Sequence, residues 1–226
     1  MLKGMMGSVS SAFFPLKLVG AMSYDGASSS NLLVSDVTDL KMKGKDFTIE
    51  WYQYQTDTNP NPRIFSKGTY PNADVAVSIE SNVFYYWEGG SAISIATLSN
   101  YKNRWVHFAV TRASGAIRVF MDGVLLNTFS SNHNYNSNSQ LRIANEEVLS
   151  SGSYFGGHLT NFHWAVGLAK YTSNFERPSS PISPIAQTDL LLLATDLANV
   201  TTDSSVNSLT AVNNNVTWSA FRKVMS

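Results

Sequence analysis

Apolar and polar side chains alternate through most of the chain from residue 16 onward. In Phe47-Thr48-Ile49-Glu50-Trp51-Tyr52, the residues Phe47, Ile49 and Trp51 fall on one face and Thr48, Glu50 and Tyr52 on the other. A period of two is the signature of a half-buried strand. Val75, Val77 and Ile79 repeat it, and Val83-Phe84-Tyr85-Tyr86-Trp87 follows after Ser81-Asn82, so these two runs read as a hairpin. Trp105 to Arg112 groups Val106, Phe108 and Val110; Ile117, Val119 and Met121 come next, and Asp122-Gly123 leads into Val124-Leu125-Leu126. An Asp-Gly pair between apolar runs marks a tight hairpin, because its central residues adopt positive φ.

Later strand runs are Leu141 to Ala144, His158 to Val166, Leu190 to Leu193 and Val216 to Trp218. Connectors rich in Gly, Asn, Ser and Pro separate them: Asn59-Pro60-Asn61-Pro62, Ser130 to Ser139, Ser150 to Ser153 and Pro178 to Pro184. The best helical stretch is a short turn near Val166 to Lys170. Many short strands with regular turns predict an all-β fold, two antiparallel sheets packed as a jelly-roll sandwich.

The prolines at 178, 181 and 184 do not divide the chain, since the roughly 40 residues behind them are too few for a core of their own. They read as closing strands of one domain over 18–226. Residues 1–17 form a separate apolar arm, in which Phe13, Phe14 and Leu16 are the candidate assembly contacts. Serines, Pro15 and Lys17 interrupt its apolar run. A signal peptide needs about 7–15 apolar residues together and a membrane helix roughly 18 or more, so neither is expected.

Composition narrows the chemistry. Hydrophobic residues make up 43% of the 226, enough for a sizeable core. Lys+Arg and Asp+Glu both number 16, with no basic cluster, which argues against nucleic-acid binding. Only 14% of residues are charged, a surface that suits an exterior, secreted or particle-bound protein. Cysteine is absent, excluding disulfides and thiol chemistry.

Glycoside hydrolysis needs two carboxylates flanking the bond. Glu50 and Glu80 stand alone on their strands, and the adjacent Glu146 and Glu147 would point to opposite faces, so no catalytic residue is assigned and an enzyme is not expected. His158 and His163 differ by an odd number and would face opposite sides of a regular strand, so no metal ligand is named. The candidate sugar or partner contacts are Tyr86, Trp87, Asn134 and Tyr135. A ring gives a stacking platform and an amide gives paired hydrogen bonds; the alternative is that these rings pack between sheets or at a subunit contact.

Four stretches carry a family resemblance. They are Tyr24 to Ser30 with Asp46-Phe47-Thr48-Ile49-Glu50-Trp51; Trp105 to Arg112 with Phe120-Met121-Asp122-Gly123-Val124; Phe155 to Phe162 with Tyr171 to Phe175; and Leu190 to Leu193 with Asp203-Ser204-Ser205 and Val216-Thr217-Trp218-Ser219. Together they resemble the laminin-G-like, concanavalin A-like jelly-roll family from about residue 18 to 221. The last stretch is similar to the version in structural proteins of viruses and phages. The resemblance implies a non-catalytic virion structural or decoration protein at a virion or extracellular surface, whose partners are other particle proteins and glycans within a larger assembly. A lectin-like adhesion module for host or surface glycans is the alternative it also allows. It leaves calcium open as a cofactor, with no ligands named.

Overall fold

The computed structural model describes residues 18–220 apart from 28, 57–58 and 147–152. The arm with Phe13, Phe14 and Leu16 lies outside the described residues, as do Asp57 and Glu147. The described residues form fifteen strands: β1 (Gly20–Asp25), β2 (Asn31–Val34), β3 (Phe47–Gln55), β4 (Arg63–Lys67), β5 (Val75–Glu80), β6 (Val83–Glu88), β7 (Ser91–Thr97) and β8 (Trp105–Ala113). They continue with β9 (Ala116–Met121), β10 (Val124–Ser130), β11 (Leu141–Ile143), β12 (Gly156–Val166), β13 (Thr188–Leu192), β14 (Ala211–Asn214) and β15 (Thr217–Ala220). The first sheet runs β10-β9-β8-β3-β12-β1-β15, with β13 also paired to β12; the second runs β14-β2-β11-β4-β5-β6-β7.

The alternation read in β3 determines what lies between the sheets. Phe47, Ile49 and Trp51 are fully buried there. Trp51 lies nearly parallel to Phe108 of its own sheet (5.7 Å between centroids) and meets Phe65 of the opposite sheet edge-on at the same distance. Phe65 in turn packs edge-on against Phe162 and Trp164. Each such pair adds about 0.5–1.5 kcal/mol beyond the area it removes from water. The indole nitrogen of Trp51 donates to Gln53 Oε1 at 2.9 Å, so this buried ring leaves no polar atom unpaired.

The last two described strands lie beside the first two. β15 pairs with β1 and β14 pairs with β2. The Asp203-Ser204-Ser205 stretch has a folding role here: the buried Asp203 carboxylate accepts from the backbone N–H of Leu191, Ser205 and Leu209, all within 2.9 Å.

Residues 167–187 cross the outer face of the first sheet as an extended strap. The helical turn expected near Val166 to Lys170 does not form. Backbone groups there find partners on the sheet instead: Lys170 N–H donates to Thr48 Oγ1, Thr111 Oγ1 donates to the Tyr171 carbonyl, and Phe175 N–H donates to the Gly123 carbonyl. The Asp122-Gly123 turn has positive φ at both residues, as its sequence predicts. Gly123 also has no room for a side chain, since a Cβ would lie 1.9 Å from the Phe175 carbonyl oxygen. Gly123→Ala is therefore expected to destabilise the fold by more than about 1 kcal/mol, combining the positive-φ strain with displacement of the strap. Urea denaturation measures it, and an unchanged midpoint would refute the docking.

Candidate functional site

On the outer face of the first sheet, one carboxylate organises the strap. Glu50 is fully buried and accepts from four side chains: His107 Nε2 (3.1 Å), His163 Nδ1 (2.8 Å), Lys170 Nζ (2.7 Å) and the Tyr171 hydroxyl (2.8 Å). His163 reaches on to Thr188 Oγ1 at 2.9 Å. Burial alone pushes a carboxyl upward, but the hydrogen bonds from His107 and His163, helped by the Lys170 charge, hold Glu50 well below the usual carboxylate range. Burial and the Glu50 charge push the Tyr171 phenol up. Two of the four donors come from the strap and two from the sheet. The cluster is a latch whose carboxylate is closed to solvent, with Lys170 reaching it from the exposed strap.

His163 reaches Glu50 only because β12 is bulged. His158 pairs with Tyr54 and Thr160 with Tyr52, yet His163 pairs with Glu50, so three steps on β12 match two on β3. Asn161, at φ +53°, absorbs the extra residue. His158 and His163 thus share the outer face, which corrects the expectation that they oppose one another. They stand two register rows apart, one at Tyr54 and the other at Glu50. Among the described residues no three His, Cys, Asp or Glu side chains are grouped to hold a metal ion.

The four sugar-contact candidates separate. Tyr86 and Tyr135 are buried, and they are corrected from stacking platforms to core residues. Tyr86 alternates inward with Phe84, while Tyr135 packs edge-on against Phe47 at 5.5 Å. The Tyr86 hydroxyl donates to that of Tyr135 at 3.0 Å, and Tyr135 donates to Glu88 Oε2. Burial pushes both phenols up. Asn134 is exposed, and its carbonyl accepts from Gly44 N–H at 3.1 Å. Trp87 lies on the opposite face from Tyr86, the outer face of the second sheet.

There Trp87 belongs to an aromatic and ionic cluster. Its row across the strands is Ser66, Ala76, Trp87; the next is Arg63, Ser78, Tyr85. Small residues under both rows let the indole lie on the sheet, where its Nε1 donates to Ser78 Oγ at 2.9 Å. The Arg63 guanidinium covers the indole at 4.6 Å and is held by Glu80 (2.6 Å) and Glu146 (3.1 Å). Tyr70 packs its ring edge-on against Trp87 at 5.7 Å and remains 56% exposed. Its mount is a closed turn: Asn72 N–H donates to Thr69, Asp74 N–H to Lys67 and Gly90 N–H to Ala73. Sequence reasoning missed Tyr70 and Arg63. The available signal was an aromatic residue set among turn formers, Gly68 to Asn72, with no strand to claim it.

The laminin G 3 family model, described as the concanavalin A-like lectin/glucanases superfamily, matches residues 25–165, more than half of the chain. The chain belongs to this family. Among solved structures, this concanavalin A-like domain is similar to a provisionally named carbohydrate binding protein from Bacteroides ovatus (TM-score 0.72, 15% identity, 91% of this chain and 61% of that one). The domain therefore spans about three fifths of that protein's length. It is also similar to a heptameric SAP-like pentraxin from Limulus polyphemus (TM-score 0.58, 11% identity, 89% of this chain and 95% of that one). A third is the extracellular region of zebrafish Gpr126/Adgrg6 (TM-score 0.59, 19% identity, 92% of this chain and 27% of that one). At these identities the likeness is one of fold. No curated protein sequence matches the domain.

The latch makes stability depend on pH in a defined direction. A depressed folded-state value means Glu50 contributes fully above the unfolded carboxylate value, about 4.3, and loses its contribution as pH falls through the folded value. Glu50→Gln should cost about 3 kcal/mol at neutral pH, as expected when a buried ion pair loses one partner. The gap to wild type should narrow below about pH 4. Urea titrations at several pH values test this; a gap that stays constant into acid would show that the carboxylate charge is irrelevant.

Proposed function

We propose that this domain is a carbohydrate-binding module that holds a saccharide against Tyr70 on the outer face of the second sheet. The observation that carries the reading is an exposed aromatic ring in a rigid mount. Tyr70 rests on Trp87, Trp87 lies under Arg63, and Arg63 is tied to two carboxylates. A ring fixed before binding loses little entropy when a sugar stacks on it. The Glu80 carboxylate, bonded through Oε1 to Arg63 and Ser78, is 26% exposed and can accept from sugar hydroxyls beside the cluster. Similarity in fold to a protein provisionally named for carbohydrate binding supports the same class.

The reading has no hydrolytic step. Glu80 and Glu146 converge on one guanidinium, whereas hydrolysis requires carboxylates on either side of an open cleft. It also needs no calcium. Asp36 is paired with Lys41 and Lys67, Asp74 with His133, and Asp122 with Arg104 and Arg177, so these loop carboxylates already have protein partners.

A second reading, a decoration subunit of a virion or other extracellular particle, is favoured by apolar exposure near the chain's closing strands. Leu197 and Val206 are 67% and 77% exposed, and Val19 and Val212 are exposed as well. Such side chains suit contact with other particle proteins. On this reading, deleting residues 1–17 or replacing Phe13, Phe14 and Leu16 by Ala abolishes co-assembly; undiminished assembly defeats it.

For the binding reading, a glycan array should retain the wild-type domain, with and without EDTA. Tyr70→Ala should weaken the best hit at least about tenfold, close to 1.4 kcal/mol. No retention on any glycan, or full affinity in Tyr70→Ala, would overturn it.

A further inference from the structure

The strap leaves one row of the first sheet's outer face uncovered. The rows at Thr160–Tyr52–His107 and at His163–Glu50–Ala109 are sealed beneath residues 167–187, through Tyr52 bonded to the Pro178 carbonyl and through the Glu50 latch. One row further along, His158, Tyr54 and Trp105 stand opposite one another on β12, β3 and β8. All three side chains are partly exposed. Ring centroids are 5.9 Å apart from His158 to Tyr54 and 5.8 Å from Tyr54 to Trp105. The Trp105 and His158 centroids are themselves 6.3 Å apart, so the three rings gather as a triangular aromatic cluster over three hydrogen-bonded strands. His158 Nδ1 is a buried atom without a hydrogen-bond partner. Burial lowers the pKa of His158, which favours the neutral ring.

The charges bordering this row cancel. Arg104 and Arg177 share Asp122 at 2.8 and 2.9 Å. Lys102 bridges to Gln55 beside Tyr54, Asp25 lies two residues from Ser23, the His158 partner on β1, and Glu176 precedes Arg177 on the strap. Among the described residues that makes three cations and three anions. A single-stranded nucleic acid also stacks on aromatic rows, but it requires an excess of cations along its backbone. An uncharged ligand with flat apolar faces and hydroxyl edges requires none.

We propose that the His158–Tyr54–Trp105 row is a second binding platform, for a neutral saccharide chain, on the opposite side of the sandwich from Tyr70. This site stands independently of the Tyr70 reading. If both hold, the module is bivalent through its two outer faces and bridges polysaccharide chains.

The five tryptophans give separate reporters in the protein as it stands. Neutral oligosaccharides of glucan, xylan and mannan are titrated into the labelled intact domain, and the indole N–H resonances of Trp105 and Trp87 are followed by NMR. The expected result is a saturable shift at Trp105 that is the same at low and high salt. Tyr54→Ala should weaken it at least about tenfold, Tyr54→Phe should preserve it, and Tyr70→Ala should leave it unchanged. A Trp105 signal unmoved by every saccharide overturns the proposal without any variant being needed. Loss of the Trp105 shift in Tyr70→Ala, or a shift produced only by a single-stranded oligothymidylate, overturns it as well. A shift at Trp105 with Trp87 unmoved would support this platform and defeat the Tyr70 reading.

Discussion

Each β-strand must point successive side chains to opposite faces, and the rest of the structure follows from that constraint. Phe47, Ile49 and Trp51 face inward with Phe65, Phe108 and Phe162 to exclude water between the sheets. The intervening residues Thr48, Glu50, Tyr52 and Tyr54 must then face outward. An outward residue has two fates in this molecule. It is covered by another part of the chain, or it remains available to a ligand.

The first sheet shows the covered fate. Burying a carboxylate with only one partner would be strongly unfavourable, and Glu50 is tolerated because four donors surround it. Its contribution is to hold the strap in one position, with Phe175 and Tyr171 packed on Phe120. The second sheet shows the available fate. Ser66, Ala76 and Ser78 leave space that Trp87 and Arg63 fill, and Tyr70 projects beyond them. The same alternation thus yields one face covered by the strap over most of its rows and one face that displays Tyr70.

Local pattern carried the long strands and the Asp122-Gly123 turn, because both depend on neighbouring residues alone, but it did not mark β2, β4, β7 or β14. It did not carry the face assignment of β12. One extra residue at Asn161 reverses the parity of everything beyond it, and nothing in His158 to Val166 marks the bulge. Tyr86 and Trp87 are adjacent aromatics with no chemical cue to which is the buried one; register with β5 and β7 decides it. Tyr135 is buried because the loop after β10 folds back to Glu88, a contact 47 residues away along the chain. Tyr70 lies in a turn, outside any periodic pattern. The fold was therefore legible in the sequence, whereas the site depends on long-range packing.

The most direct test of the account is hydrogen exchange on the domain with and without a saturating saccharide identified by array. Slowed exchange confined to residues 68–74 and 83–88, with or without the 102–106 segment, is the predicted outcome. Protection located instead in the 131–139 loop, with 68–74 unaffected, would contradict the assignment of the second sheet's outer face.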